Sequence, residues 1–264
     1  MSSLPQIPPR PDGLHPAPVM PPRPALQDEL RPKVSWSWYE ALGFYLLAFV
    51  LAGLATLPFV AFMEPEADLT TIVINVVAAA VIIVVLVTWL SIRHPGWPKQ
   101  MGLPEAGTWV RESGVGVLYG IGLFAVMALV RGLIALLLQA FTGEPVEIPQ
   151  QVGDHLPLMG VWLTVLYAIV IAPIGEELFF RGVLFRAFRD RYGFLVGALS
   201  SAVGFGLIHY IPGPAIDAAL LMIVMFLTGL GLCFIYEQRG TIVAPIAAHM
   251  TFNVIGIVLI FGLR

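Results

Sequence analysis

Seven apolar stretches, near residues 39–63, 69–92, 113–140, 160–188, 194–210, 215–236 and 241–263, run through this chain of 264 residues. Each approaches or exceeds the roughly 20 apolar residues that a helix rising 1.5 Å per residue needs to cross the hydrocarbon of a bilayer. The composition agrees: with 58% hydrophobic and 12% charged residues there are too few charged side chains to solvate a globular surface of this size. The expected fold is therefore all-α, a polytopic transmembrane helical bundle of about seven spans. The fifth stretch is short, and the fourth runs long into Arg186, Arg189 and Arg191, so boundaries are expected to shift there.

Lysine and arginine orient the bundle. Arg31 and Lys33 precede the first stretch, Arg93, Lys99 and Arg111 lie between the second and third, and Arg186, Arg189 and Arg191 close the fourth. The alternate connections carry Glu64, Glu66 and Asp68, then Glu144, Glu147 and Asp154, then Asp217, without Lys or Arg. The positive-inside rule places the N-terminus inside and the C-terminus outside. Trp36, Trp38, Trp89, Trp97 and Trp109 fall near stretch ends, where interfacial anchors are expected.

Residues 1–35 read as a proline-rich, disordered cytoplasmic tail without the apolar core of a signal peptide, and 36–264 as one membrane-embedded domain. The lone Cys233 forms no internal disulfide and is expected to be a buried thiol. Basic residues are scattered without aromatic interleaving, so no nucleic-acid partner is expected. His94 and His155 sit in connections beside prolines and show no ligand spacing.

Three polar constellations break the apolar runs of the C-terminal half: Glu176 and Glu177 with Arg181, Phe205 with His209, and His249 with Asn253. Ionisable groups within a bilayer cost several kcal/mol unless they face a bundle interior or a water-filled cavity, so their presence on three stretches points to one buried polar site. Residues four apart lie about 40° apart around a helix, which aligns Glu177 with Arg181 as an ion pair. Glu176 points about 100° away and stays available for proton transfer. His209 follows Glu176 by 33 positions, with Tyr192 and Gly193 midway. An antiparallel hairpin turning there sets Glu176 and His209 at one depth, able to hold a water and take its proton or to share a metal ion. Phe205 should pack against the His209 ring from one turn away. His249 and Asn253 share a face of the last stretch. They can offer N–H donors to an oxyanion, or His249 can join Glu176 and His209 around Zn²⁺.

Together the Glu-Glu-x-x-x-Arg, Phe-x-x-x-His and His-x-x-x-Asn motifs resemble those of the CAAX-protease and bacteriocin-processing (CPBP, or Abi) intramembrane proteases, over roughly 160–260. The resemblance implies a helical-bundle endopeptidase of the membrane, in a family whose members include enzymes that trim the C-terminal tripeptide from prenylated proteins. It implies that Glu176 and His209 activate water, that His249 and Asn253 form the oxyanion hole, and that Glu177 and Arg181 support Glu176. The family is widely labelled as metalloproteases. A metal-free, glutamate-dependent mechanism is nevertheless preferred here, because only two histidines are available and asparagine is a poor zinc ligand. The expected partners are the lipid bilayer and a membrane-associated protein or peptide substrate, and the expected location is a bacterial inner membrane. The competing functions are a non-enzymatic immunity or scaffold protein and a proton-coupled transporter.

Overall fold

A computed structural model describes residues 32–63, 68–104, 107–143 and 158–262. Nearly all of the expected tail lies outside the described residues, as do Glu64, Glu66, Glu144, Glu147, Asp154 and His155. Among the described residues every regular element is helical: α1 (Trp38–Phe62), α2 (Asp68–Arg93), the single turn α3 (Trp97–Gln100), α4 (Trp109–Thr142), α5 (158–192), α6 (Phe194–Ile208), α7 (Ala215–Arg239) and α8 (Val243–Gly262). All seven expected stretches are helices. By length and composition α1, α2, α4, α5 and α7 can cross a membrane, whereas α6 and α8 are shorter apolar helices. The chain thus folds as a polytopic helical membrane bundle.

Local chemistry sets the helix ends. Ser37 and Glu40 form a reciprocal capping box at the start of α1, the Ser37 Oγ accepting from the Glu40 N–H and the Glu40 carboxylate accepting from the Ser37 N–H. The α5–α6 hairpin turns on Gly193, whose φ of +86° is strained for any residue with a Cβ. This is the turn expected between Glu176 and His209.

Leu46, Val50, Leu54 and Leu57 of α1 and Leu118, Leu129 and Leu136 of α4 are exposed. Their apolar surfaces need lipid around them. Of the helices long enough to span, α5 and α7 are the most buried, and with α6 they form the interior. Close approach of α4 to α8 depends on Gly116 and Gly120: a Cβ on Gly120 would lie 2.5 Å from the Ala248 carbonyl oxygen and 2.8 Å from the Thr251 Cβ. Gly120→Ala is therefore expected to lower stability by about 1–3 kcal/mol, as overpacking does. Equilibrium unfolding of the purified variant in detergent checks this.

The basic end of the bundle is tied by a buried polar knot. Arg186, almost fully buried, donates to the carbonyls of Pro32 (2.9 Å) and Gln100 (2.5 Å) and pairs with Asp190, whose carboxylate also accepts from the Val34 N–H. Tyr236 donates to the Met101 carbonyl, and a bidentate Arg239–Glu112 pair joins α7 to α4.

Two expected interfacial anchors prove to be core. Trp36 and Trp89 are 1% and 7% exposed. The Trp36 indole donates to the Val183 carbonyl, and both rings meet the His94 imidazole edge-on. An indole can satisfy its one donor inside the knot and loses nothing by leaving the interface. His94, expected to lie in a plain connection, is buried between the Ser35 hydroxyl (2.9 Å) and the Glu40 carboxylate (3.2 Å). Cys233 is fully buried, as expected.

Candidate active site

The paired glutamates occupy an α-helical turn, Ala172–Glu177, between two π-helical stretches of α5, Tyr167–Ile171 and Leu178–Phe185. Such widened turns are uncommon and often mark functional positions. The first has a cause in the sequence. Pro173 has no N–H to give to a preceding carbonyl and its ring crowds that turn, while the Ala172 N–H reaches back five residues to the Tyr167 carbonyl. Five residues beyond Ala168 stands Pro173 itself, so continuing the π pattern leaves the Ala168 carbonyl without a backbone donor. Asn253 of α8 fills that place, its carboxamide N–H donating to the Ala168 oxygen at 2.7 Å.

Glu177 and Arg181 pair at 2.8 Å as their spacing requires, and both side chains are fully buried. Arg181 also donates to the Gly229 carbonyl of α7 at 3.1 Å, and its guanidinium lies 4.4 Å from the Phe205 ring centroid. One arginine thereby joins α5, α6 and α7. Glu177 Oε2 and Arg181 Nε have no hydrogen-bond partner among the described residues. Leaving such groups unpaired typically costs about 1–3 kcal/mol each, a cost more often found at functional sites than in inert cores.

His249 joins this frame from α8. Its Nδ1 lies 2.9 Å from Glu177 Oε1, and because an ionised carboxylate only accepts, Nδ1 carries the proton of that bond. The opposite nitrogen, Nε2, lies 3.9 Å from Glu176 Oε2. Glu176 itself remains partly accessible, at 20% against 0% for Glu177. The two neighbouring carboxylates thus sit in different environments, one sealed into an ion-pair network and one open.

His209 stands at the C-terminal end of α6, and its Nδ1–H donates to the Phe205 carbonyl at 2.7 Å. A carbonyl cannot donate, so this bond leaves Nε2 with the lone pair when the ring is neutral. His209 lies within electrostatic reach of Glu176, His249 and Arg181. Phe205 packs against His209 as expected, with ring centroids 4.6 Å apart. It also faces His249 at 5.8 Å and Arg181, making it the apolar hub of the cluster.

Side chains of α5, α6 and α8 thus converge within an apolar bundle. Glu176, Glu177, Arg181, His209 and His249 form one cluster, and Asn253 joins its edge through Ala168. Among the described residues no group of three or more His, Cys, Asp or Glu side chains is placed to hold a metal ion as the side chains stand. His209 and His249 each hold Nδ1 on a protein acceptor and keep Nε2 free of a protein hydrogen bond among the described residues. Tyr45 of α1 and Tyr167 of α5, which motif spacing did not select, lie within electrostatic reach of Glu176. The one available signal was a phenol set within a run of apolar residues.

Comparison with known proteins points the same way. Residues 158–255, just over a third of the chain, match the family model described as Type II CAAX prenyl endopeptidase Rce1-like. The chain is 29% identical over 113 residues to the Bacillus subtilis protein named "Putative membrane peptidase YdiL", a match covering 42% of each. It is 32% identical over 104 residues to an uncharacterised 24.3 kDa protein of Escherichia coli, covering 39% of this chain and 45% of that protein. The chain therefore matches less than half the length of each of these relatives. No solved structure matches it. The segment that holds the three motifs, residues 158–255, is thus similar to the Rce1-like family, consistent with the CPBP membrane peptidases that those motifs resemble.

Proposed function

We propose that this protein is an intramembrane endopeptidase in which Glu176 activates water for attack on a peptide carbonyl. The observation that carries this reading is the 3.9 Å approach of an accessible Glu176 to His249, whose other nitrogen is held by the buried Glu177–Arg181 pair. The Rce1-like match and the membrane-peptidase relative support protease activity at the coarser level.

In the reaction, a water between Glu176 and His209 Nε2 gives a proton to the Glu176 carboxylate as its oxygen bonds to the substrate carbonyl carbon. The carbonyl π electrons move to oxygen. The developing charge is met by a donor at His249 Nε2, the ring being oriented by the Glu177 contact, and by the Asn253 carboxamide N–H that is not committed to Ala168. Collapse of the intermediate breaks the C–N bond, and the proton held by Glu176 passes to the leaving amine. Burial around Phe205 strengthens each of these electrostatic terms.

The substrate class is a peptide segment of a membrane-associated protein. Processing of a CAAX-type C-terminus and of a bacteriocin leader or sorting tail are the two forms this takes, and a bacterial inner membrane is the proposed setting. We route no step through a metal, on the reading that Glu176 itself acts as the general base. Cleavage by the purified protein is therefore expected to persist at its full rate after chelation, with metal content measured as substoichiometric. Loss of activity restored by added Zn²⁺ would overturn the metal-free mechanism.

A further inference from the structure

A groove of about 530 Å³ runs between α1 and α2 and contains none of the residues assigned to the candidate active site. Its mouth is charged. Glu40, in the first turn of α1, and Arg93, the last residue of α2, line the end that lies on the basic side of the bundle. From there the walls pass to the stacked rings of Phe44 and Trp89, with centroids 4.6 Å apart, and on to Leu51 and Val84, both exposed to the surroundings of the bundle. Apart from Thr88, every lining residue below the mouth is apolar. Leu51 stands eleven residues beyond Glu40, which is about 16 Å of helix and about half of the roughly 30 Å of hydrocarbon in a bilayer. The groove therefore starts at the level of the headgroups and ends near the midplane, the depth of one leaflet.

The two charges at the mouth differ in what they already touch. Glu40, 30% exposed, meets the His94 ring and accepts from the Ser37 N–H, yet a carboxylate has about four lone-pair sites and keeps room for a further donor. Arg93 is exposed and has no ion-pair or hydrogen-bond partner among the described residues. An anion and a cation above a leaflet-deep apolar slot complement a molecule that carries a cationic N–H donor, a phosphate and an acyl chain. We propose that this groove binds one phospholipid with a primary-ammonium headgroup, from the leaflet at the basic end of the bundle. Its phosphate lies on the Arg93 guanidinium, its ammonium donates to Glu40, and an acyl chain lies over Phe44 and Trp89. A choline headgroup has no N–H to give to Glu40, and a glycerol headgroup has no cation. Occupancy braces the core as well, because Trp89 meets Trp36 edge-on and the Trp36 indole donates to Val183 in the second π-helical stretch of α5.

The test is native mass spectrometry of the full chain, delipidated in detergent and titrated with phosphatidylethanolamine, phosphatidylcholine or phosphatidylglycerol of identical acyl chains. One phosphatidylethanolamine is expected to bind with an apparent Kd about tenfold below that of either other lipid, the size of one hydrogen bond to a charged group. Arg93→Gln should weaken it about tenfold. Arg191→Gln, at another exposed basic position, should leave it unchanged. Val84→Trp fills the slot and should weaken all three lipids alike. Arg93 and Val84 are both exposed, so the lipid-free variants should unfold at the wild-type temperature, and the rise in that temperature on adding phosphatidylethanolamine should shrink in each. Soluble phosphoethanolamine at millimolar concentration should not displace the lipid. Equal affinity for the three lipids would mean an ordinary lipid annulus and would overturn the proposal. So would a preference for phosphatidylglycerol, displacement by phosphoethanolamine, or wild-type binding in Arg93→Gln.

Discussion

Glu176→Gln is expected to lower peptide cleavage about 10²- to 10⁴-fold, the range a positioned general base contributes, while the protein inserts and unfolds as the wild type does. The substitution is nearly isosteric, and Glu176 is partly accessible and lies outside the buried ion pair, so no desolvated charge loses its counter-charge. The measurement is single-turnover cleavage of a membrane-anchored peptide by purified protein in liposomes, with thermal unfolding in detergent as the control for folding. A variant that retains wild-type cleavage would remove Glu176 from the chemistry. Cleavage absent in both proteins, with an unchanged biological effect of the variant, would favour a binding or scaffold role. Proton flux without cleavage would favour transport.

Arg181→Met should have the largest effect on stability. Removing one member of a buried pair leaves an uncompensated charge, typically costing about 3–5 kcal/mol, and here the Gly229 carbonyl also loses its donor and Phe205 its cation. The unfolding midpoint in detergent is expected to drop sharply, with poor yield from membranes. The double variant Glu177→Met with Arg181→Met separates stability from function. With neither charge left in the interior, it should regain much of the lost stability. It should remain inactive, because His249 no longer has the Glu177 carboxylate to orient it. A double variant as active as the wild type would show that the Glu177–His249 contact does nothing for catalysis.

Much of the architecture was legible because its causes are local. Long apolar runs marked every helix but the single turn α3, the four-residue spacing of Glu177 and Arg181 determined their pairing, and Gly193 marked the hairpin turn. The four-residue spacing of Phe205 and His209 likewise anticipated their contact. Where local cues and packing disagreed, packing prevailed. Trp36 and Trp89 have the sequence positions of interfacial anchors, yet a buried carbonyl acceptor and the His94 ring draw them inside. Membrane-anchor reasoning uses sequence position relative to a span and has no access to a partner about 150 residues away.

Composition and short-range periodicity were enough to establish a helical membrane protein with three polar motifs, since hydropathy and side-chain angle around one helix depend only on neighbouring residues. How those motifs meet is a matter of helix crossings and of helix widening on either side of Glu176. The bond from Asn253 to Ala168, the contact of His249 with Glu177, and the stacking of Tyr45 on Phe179 each join separate helices. A shift of one residue in the winding of α5 turns its side chains by about 100°, so these contacts arise only once the π-helical turns and the packing of the whole bundle are in place.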